Sequence, residues 1–400
     1  MSFDAIVVGA RVAGSPTAML LARAGHRVLL LDRATFPSDV ISTHLVHVPG
    51  MALLRSWGLH DAVANAGAPR LARFTMDFGP FVISAPPPPS DGAAHPYCVR
   101  RTVLDAILLD AARSAGAEVR EGVTVEGLLR DASGRVTGVR GDGFEEHARI
   151  VIGADGLRSV VAREAGAGTY HDTPSLTACY YAYYRGLLPR DNAEIYQLGD
   201  RAVVLFPTND DATCVFVACP SAQFHDFRTD VEAHYAEAIS RVPSVAARVA
   251  AAERVGRMHA TADVPNFFRT PAGPGWALVG DAGYHKDPVM AAGITDAFVS
   301  AQLLADAVHS GLSGGDLDAA VQSYAQERDR RFLPALQLTC QLASMEPPSP
   351  EMAALFATIA ASPAESTRFF GVMQGSTPIA EYFAPDNLAR IMSGAAGAAI

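Results

Sequence analysis

Short unbroken apolar runs alternate with stretches of helical spacing along the first part of the chain. Ala5–Val8 predicts a buried strand. Ser15–Ala24 predicts a helix with Pro16 in its first turn and Gly25 as its stop. Val28–Leu31 predicts a second strand, ending on Asp32. Met51–Trp57 gives a helical turn or two. Phe74 to Pro89 reads as a strand pair running into four prolines, an edge or a linker. Leu104, Ile107, Leu108 and Ala111 recur at helical spacing up to Gly116. Val119–Leu129 then predicts a strand. Val136–Val139 and Phe144–Ala148 predict a hairpin across Gly141-Asp142-Gly143, and Ile150–Ile152 a further buried strand.

From about residue 170 the pattern shifts to short strands joined by turn residues. Ala178–Tyr184, Glu194–Gln197, Ala202–Phe206 and Thr213–Val217 predict an antiparallel sheet. Asp226–Ile239 and Ser244–Ala252 predict helices. Trp276–Val279 returns to the first kind of strand and stops at Gly280-Asp281-Ala282-Gly283. Gly293 then opens a long helical pattern through Ala297, Leu303, Leu304 and Val308. From Asp316 the chain reads as mostly helical, and Ser349-Pro350-Glu351 supplies a cap, a first-turn proline and a first-turn acid. The expected class is α/β. A Rossmann-like domain (1–70, 96–168 and 262–345) is interrupted by an antiparallel-sheet substrate domain (71–95 and 169–261). A helical C-terminal cap (346–400) follows.

Composition narrows the function classes. With 49% hydrophobic and 18% charged residues, the 400-residue chain is globular rather than disordered. Its formal charge of −10 argues against a general nucleic-acid surface. No apolar run is long enough for a transmembrane segment, and Met1-Ser2-Phe3-Asp4 enters the first strand without a signal-like leader. The cysteines at 98, 179, 214, 219 and 340 form no C-x-x-C pair. That spacing points to reduced thiols in a cytoplasmic protein, with neither a zinc site nor a disulfide framework.

Three turns carry candidate chemistry. Gly9-Ala10-Arg11-Val12-Ala13-Gly14 joins a strand to a helix, with Asp32 about 20 residues beyond, the layout that binds a dinucleotide. Glycines admit the backbone to the pyrophosphate, the helix end favours phosphate, and the acid accepts from ribose hydroxyls. Arg11 stands where a second glycine is usual, and its guanidinium is expected to lie along the phosphates. Gly153-Ala154-Asp155-Gly156 is a second strand-to-turn element. Gly280-Asp281 is a third: its carboxylate suits sugar-type hydroxyls, and the helix at Gly293 offers free N–H groups. His285 follows this turn and is either a proton relay or a loop histidine bonded to backbone. On a strand, Tyr181 and Tyr183 share one face and Tyr180 and Tyr184 the other. One face should pack on helices, and the other either lines a substrate cavity or packs as well.

In this order and at these separations, the three turns resemble the FAD-dependent monooxygenases of the para-hydroxybenzoate hydroxylase type. The wider group includes geranylgeranyl reductases and flavin halogenases. The resemblance covers roughly residues 1–345. It implies that Gly9, Arg11, Val12, Ala13 and Gly14 hold the FAD pyrophosphate and Asp32 the adenosine ribose, with Arg33 and Thr43 in the same cofactor-binding set. Arg101, in an Arg-x-x-Leu-Asp pattern with Leu104 and Asp105, would reach the phosphate or ribityl region. Val125 would touch adenine through its backbone, and Asp155-Gly156 would shape the crevice shared with nicotinamide. Asp281 would bind the ribityl chain, and Pro288, Gly293 and Ile294 would frame the flavin's pyrimidine edge. The usual Pro-x-x-Gly-x-Gly-x-Asn is altered here, since Ala291 and Thr295 replace a glycine and the asparagine. Arg163 also falls one place later than is usual after the Asp-Gly motif.

The activity implied is monooxygenation with FAD, NADH or NADPH, and O2. A flavin C4a-hydroperoxide would oxygenate a small aromatic or apolar substrate. His44, Tyr181, Tyr183 and His285 are the substrate-lining candidates; His44 and His47 lie in the other loop expected to approach the ring. No catalytic acid or base and no metal ligand is singled out. The alternatives are a flavin-dependent reductase or dehydrogenase of the geranylgeranyl reductase type and a non-catalytic flavin-binding protein. A halogenase is less favoured, because Trp57 and Trp276 are the only tryptophans and W-x-W-x-x-I-P is absent.

Overall fold

The computed structural model describes residues 2–396. Met1 and residues 397–400, parts of the first and last expected segments, lie outside the described residues.

One sheet runs in the order Ala272–Gly273, Trp276–Leu278, Phe144–Gly153, Phe3–Val8, Val28–Asp32, Glu118–Glu121. Along this order all neighbours pair in parallel except the first two strands, and Val136–Gly141 and Gly127–Arg130 join the sheet off this path as antiparallel strands. Parallel strands covered on both faces read as unbroken apolar runs, which is why these runs predict them well. Ala5, Val7 and Leu30 pack towards the helices Gly14–Arg23, Arg101–Ser114 and Gly293–Leu312. Ile6, Val8, Leu29 and Leu31 pack on the other face with Trp276, Val136 and Val139. Val8 pairs with both Leu31 and Gly153, and Gly153 pairs with Leu278. The turns at Gly9, Asp32, Ala154 and Gly280 therefore leave the sheet at one edge, where a crevice forms.

Two strand expectations are corrected. Val119–Leu129 is not one strand: it stops at Glu121 and resumes as Gly127–Arg130. Gly122 turns with φ +70°, and Val123 N donates to Asp32 O. Residues 123–125 thereby run alongside the crevice instead of extending the sheet. Conversely, Phe144–Gly153 is continuous. Its exposed first half pairs antiparallel with Val136–Gly141, and its buried second half pairs parallel with Phe3–Val8. The change of surroundings made one strand look like two.

The second sheet has seven strands, ordered Glu253–Thr261, Thr177–Arg185, Ala212–Pro220, Arg201–Pro207, Asn192–Leu198, Arg73–Asp77, Val82–Ala85. Tyr180 and Tyr184 face the helices Val231–Ser240 and Pro243–Ala250, with Tyr180 stacked 3.9 Å from Phe227. Tyr181 and Tyr183 face the opposite way, with Phe206, Phe216 and the C-terminal helices. The edge strand Glu253–Thr261 escaped the sequence reading because its side chains are largely solvated on both faces. A small sheet of Thr169–Thr173, Asn266–Arg269 and Tyr284–His285 escaped it too, its strands being short. The helices Pro350–Ala360 and Pro363–Gln374, capped by Ser349 and Ser362, pack on Val82–Ala85.

Candidate functional site

A cavity of about 580 Å3 occupies the crevice. Its wall takes in the whole expected cofactor-binding set except Gly14. Gly14 is hidden by close packing, since a Cβ there would lie 1.7 Å from Gly9 O. The other glycines divide by cause. A Cβ at Gly9, whose φ is +100°, would lie 2.4 Å from Ala154 O, so Gly9 lets two turns approach. A Cβ at Gly293 would meet nothing within 4 Å, so that position is open to the cavity.

The polar groups suit a dinucleotide. Asp32 accepts from Ala10 N (2.7 Å) through one oxygen and from Ala34 N (2.8 Å) through the other, which leaves each a free lone pair. Asp281 presents an exposed carboxylate at the wall. The helices Gly14–Arg23 and Gly293–Leu312 begin at this cavity, and neither has a side-chain cap on its first turn. Their leading N–H groups remain available to an electron-rich partner.

Arg11 is more constrained than expected. Its guanidinium donates to Asp105 (2.8 Å) and to the Ser38 carbonyl and hydroxyl. Arg101 reaches the same buried carboxylate through two bonds of 2.9 and 3.1 Å. One carboxylate thus holds two arginines at the wall. Asp155 is also occupied: it accepts from Ser159 Oγ, Val160 N and Val161 N and so fixes the start of the helix Val160–Ala165. Burial raises its pKa, and these bonds oppose the rise.

Of the substrate-lining candidates, Tyr181 and His285 reach this cavity. His285 Nδ1 donates to Pro265 O, so the backbone-bonded reading is met, and the residue also lines the cavity. His44 and Tyr183 line neither this cavity nor the larger one beside it. They bond each other, His44 is wholly buried, and Arg100 lies 4.0 Å over the Tyr183 ring. Burial, then Arg100 and Arg101, push the His44 pKa well down, so a neutral ring is held in a packed cluster.

Sequence reading missed Lys286, Asp296 and Arg328 in the same wall. Lys286 is buried and pairs with Asp296 at 2.7 Å. A lysine between His285 and the apolar run after Pro288 was the available signal. Arg328 donates to Gly283 O from a helix 45 residues later, for which no local signal exists. Cys179 also lies in this wall, and burial raises its thiol pKa, keeping it protonated.

A second cavity, of about 960 Å3, adjoins the first. Thr43, Phe216, Asp287, Pro288 and Ala291 belong to both walls. Its floor is the inner face of the seven-stranded sheet, and its roof is the C-terminal helices.

The chain belongs to the FAD binding domain family, whose model matches residues 2–339. Menaquinone reductase of Mycobacterium tuberculosis (strain ATCC 25618 / H37Rv) is 35% identical over 175 residues, 43% of this chain and 42% of that protein. The chain spans about two fifths of the length of the curated relatives it matches in this way. The flavin-dependent brominase Bmp2 superposes with a TM-score of 0.83 at 19% identity, over 99% of each chain. PqsL, a probable FAD-dependent monooxygenase from Pseudomonas aeruginosa, gives 0.72 at 20% identity, over 93% of this chain and 99% of that one. The structural likenesses establish a shared flavoprotein fold. The family is one that binds FAD.

Proposed function

We propose that the protein is an FAD-dependent monooxygenase that takes electrons from NADH or NADPH and oxygenates an apolar substrate with O2. One observation carries this reading: a slot walled by the three glycine turns shares Thr43, Phe216, Asp287, Pro288 and Ala291 with a largely apolar chamber. Bound FAD would supply two-electron transfer from nicotinamide and the activation of O2. The residues do the rest. Arg11, Val12, Ala13 and the first turn of Gly14–Arg23 would hold the pyrophosphate. Asp32 would accept from the ribose hydroxyls and Asp281 from the ribityl hydroxyls. Val125 would meet adenine. Gly293 and Ile294 would give their N–H groups to the ring's electron-rich edge. Pro288, Ala291 and Phe216, common to both walls, would bring substrate and ring together, and the helical roof would exclude water. The segment division given by the sequence belongs to this proposal, and so does a cytoplasmic location, which the free thiols at 98, 179, 214, 219 and 340 support.

A second reading is supported by the menaquinone reductase relative and by the size of the chamber: two-electron reduction of a carbon–carbon double bond. Turnover under 18O2 separates the two. Monooxygenation puts one labelled oxygen atom into the product and stops without oxygen. Product formed anaerobically, with no label, would leave the reductase.

A further inference from the structure

The helix Gly293–Leu312 begins at the first cavity with a charge that works against it. A helix start carries roughly half a positive charge, which suits an electron-rich ring edge. Asp296 stands in that first turn, and a full negative charge there outweighs the helix. Lys286 restores the balance. Its Nζ lies 2.7 Å from Asp296 Oδ2, with the lysine side chain 4% exposed and the aspartate side chain 16%. Lys286, Asp296, Gly293 and Ile294 all line the first cavity.

The neighbouring charges are committed elsewhere. Asp287 accepts from Thr177 Oγ1 (2.6 Å) and Val289 N (3.1 Å). Arg328 donates to Gly283 O and bonds Asp329 at 2.7 Å. His285 donates to Pro265 O. Asp281 is exposed and belongs to the proposed ribityl contact. Lys286 Nζ has Asp296 as its one polar partner among the described residues, and it lies 5.6 Å from the centre of the Tyr284 ring. The pair is not needed to hold its loop in place. Tyr284 and His285 already pair with Phe268 and Phe267, and Asp287 caps the turn that follows. A buried ion pair is in any case weak evidence of stability, since both charges lose hydration.

We propose that the Lys286 ammonium, with Asp296 as its counter-charge, sets how readily a flavin bound in this cavity accepts electrons. The proposal rests on the reading of this cavity as the FAD site. Two electrons from nicotinamide and one proton leave the ring with one net negative charge, so a nearby cation favours reduction and a nearby anion opposes it. With both charges present the pair is close to neutral, and the helix start decides the sign. Without the lysine, the carboxylate in the first turn decides it instead. A unit charge about 10 Å away shifts an equilibrium by a little over tenfold at an effective dielectric of about 20.

The midpoint potential of the FAD-loaded protein, measured by slow enzymatic reduction against a reference dye, tests this in the parent, Lys286→Gln, Asp296→Asn and the double variant. Sulfite affinity, read from loss of the yellow absorbance, is the second measure, because sulfite also adds negative charge to the ring. FAD content and urea unfolding are followed on the same samples. Lys286→Gln should lower the reduction equilibrium about tenfold, or about 30 mV for a two-electron couple, and weaken sulfite binding about as much. Asp296→Asn should move both measures about as far the other way. The double variant should return to within about threefold of the parent. Shifts in the same direction for both single variants, or no shift in either, overturn the inference. Where one single variant is unfolded by its lone buried charge, the other compared with the double variant isolates the remaining charge, and a difference below about threefold overturns the inference. Unfolding of both single variants makes the pair a staple of the fold and overturns it as well. A parent that takes up no FAD sinks the flavin reading itself, whereas an FAD-loaded parent whose potential ignores both charges sinks this inference alone.

Discussion

At the scale of single residues, the question is which carboxylates and cations are free to meet a ligand. Asp32, Asp155 and Asp281 all follow strands at one sheet edge, yet Asp155 is used up in fixing a helix start, and Asp281 is exposed. Asp281→Ala should therefore weaken FAD binding by about 1.5–3 kcal/mol, the worth of hydrogen bonds to a charged group. Urea unfolding of the apo-protein should hardly change. Full flavin occupancy with an unchanged Kd would remove Asp281 from the ribityl contact. Arg11 is the harder case, because Asp105 and Ser38 already hold it. Arg11→Ala should still raise the FAD Kd, and the loss should shrink at high salt as screening weakens the parent. Equal affinity in parent and variant would make Arg11 a structural partner of Asp105 alone. His47 gives a pH prediction. Its folded pKa of about 4 lies below the usual His value near 6.5. Above that value both folded and unfolded chains carry a neutral ring, and nothing is lost. As pH falls towards 4, the unfolded chain binds a proton that the folded chain does not, so stability drops. Between about pH 7.5 and pH 5 this share is about 2 kcal/mol. Denaturant melts of His47→Leu should show a pH dependence shallower by that amount, and an identical slope would mean that His47 titrates normally.

At the scale of elements, the turns are where sequence and structure agree for a physical reason. Gly9 and Gly156 both have positive φ, but only Gly9 is jammed against backbone. Gly156→Ala should cost about 1–2 kcal/mol, from backbone conformation alone. Gly9→Ala should cost clearly more, because Ala154 O blocks the added methyl. Chemical denaturation of both variants gives the order, and equal losses would show that the two turns can separate at little cost. The same contrast explains what was legible. Strands buried on both faces announced themselves as apolar runs, and helices such as Gly293–Leu312 as periodic ones. The break at Gly122 and the double pairing of Phe144–Gly153 depend on neighbours far along the chain, so no local pattern encodes them. The site behaved alike. Its glycine turns were readable, whereas Arg11–Asp105, 94 residues apart, and the wall position of Arg328 were not. His44 and Tyr183 were singled out for their chemistry, but burial turned them towards each other.

At the scale of the whole molecule, the first cavity is walled by segments that span 321 residues, from Val8 to Arg328. FAD would bind the folded wall and not the unfolded chain, so it should stabilise by mass action, about 2.7 kcal/mol at a hundredfold excess over Kd. FAD is expected to be held non-covalently, so acid precipitation should release the colour to the supernatant, and colour kept in the pellet would count against this. The stabilisation should not be uniform. Arg33 is exposed on the segment that follows Asp32, and Ile41 and Asp39 beyond it are exposed as well. Such a segment opens at low cost when nothing lies against it. Arg33 and Ile41 line the first cavity, whereas Arg130 is exposed and lies outside both cavity walls. Tryptic cleavage after Arg33 should slow about tenfold at a tenfold excess of FAD over Kd if cleavage needs the ligand-free form. Cleavage after Arg130 should change less. Equal protection at both sites would mean that FAD acts through global stability only, and no protection at either would mean that this cavity does not hold FAD.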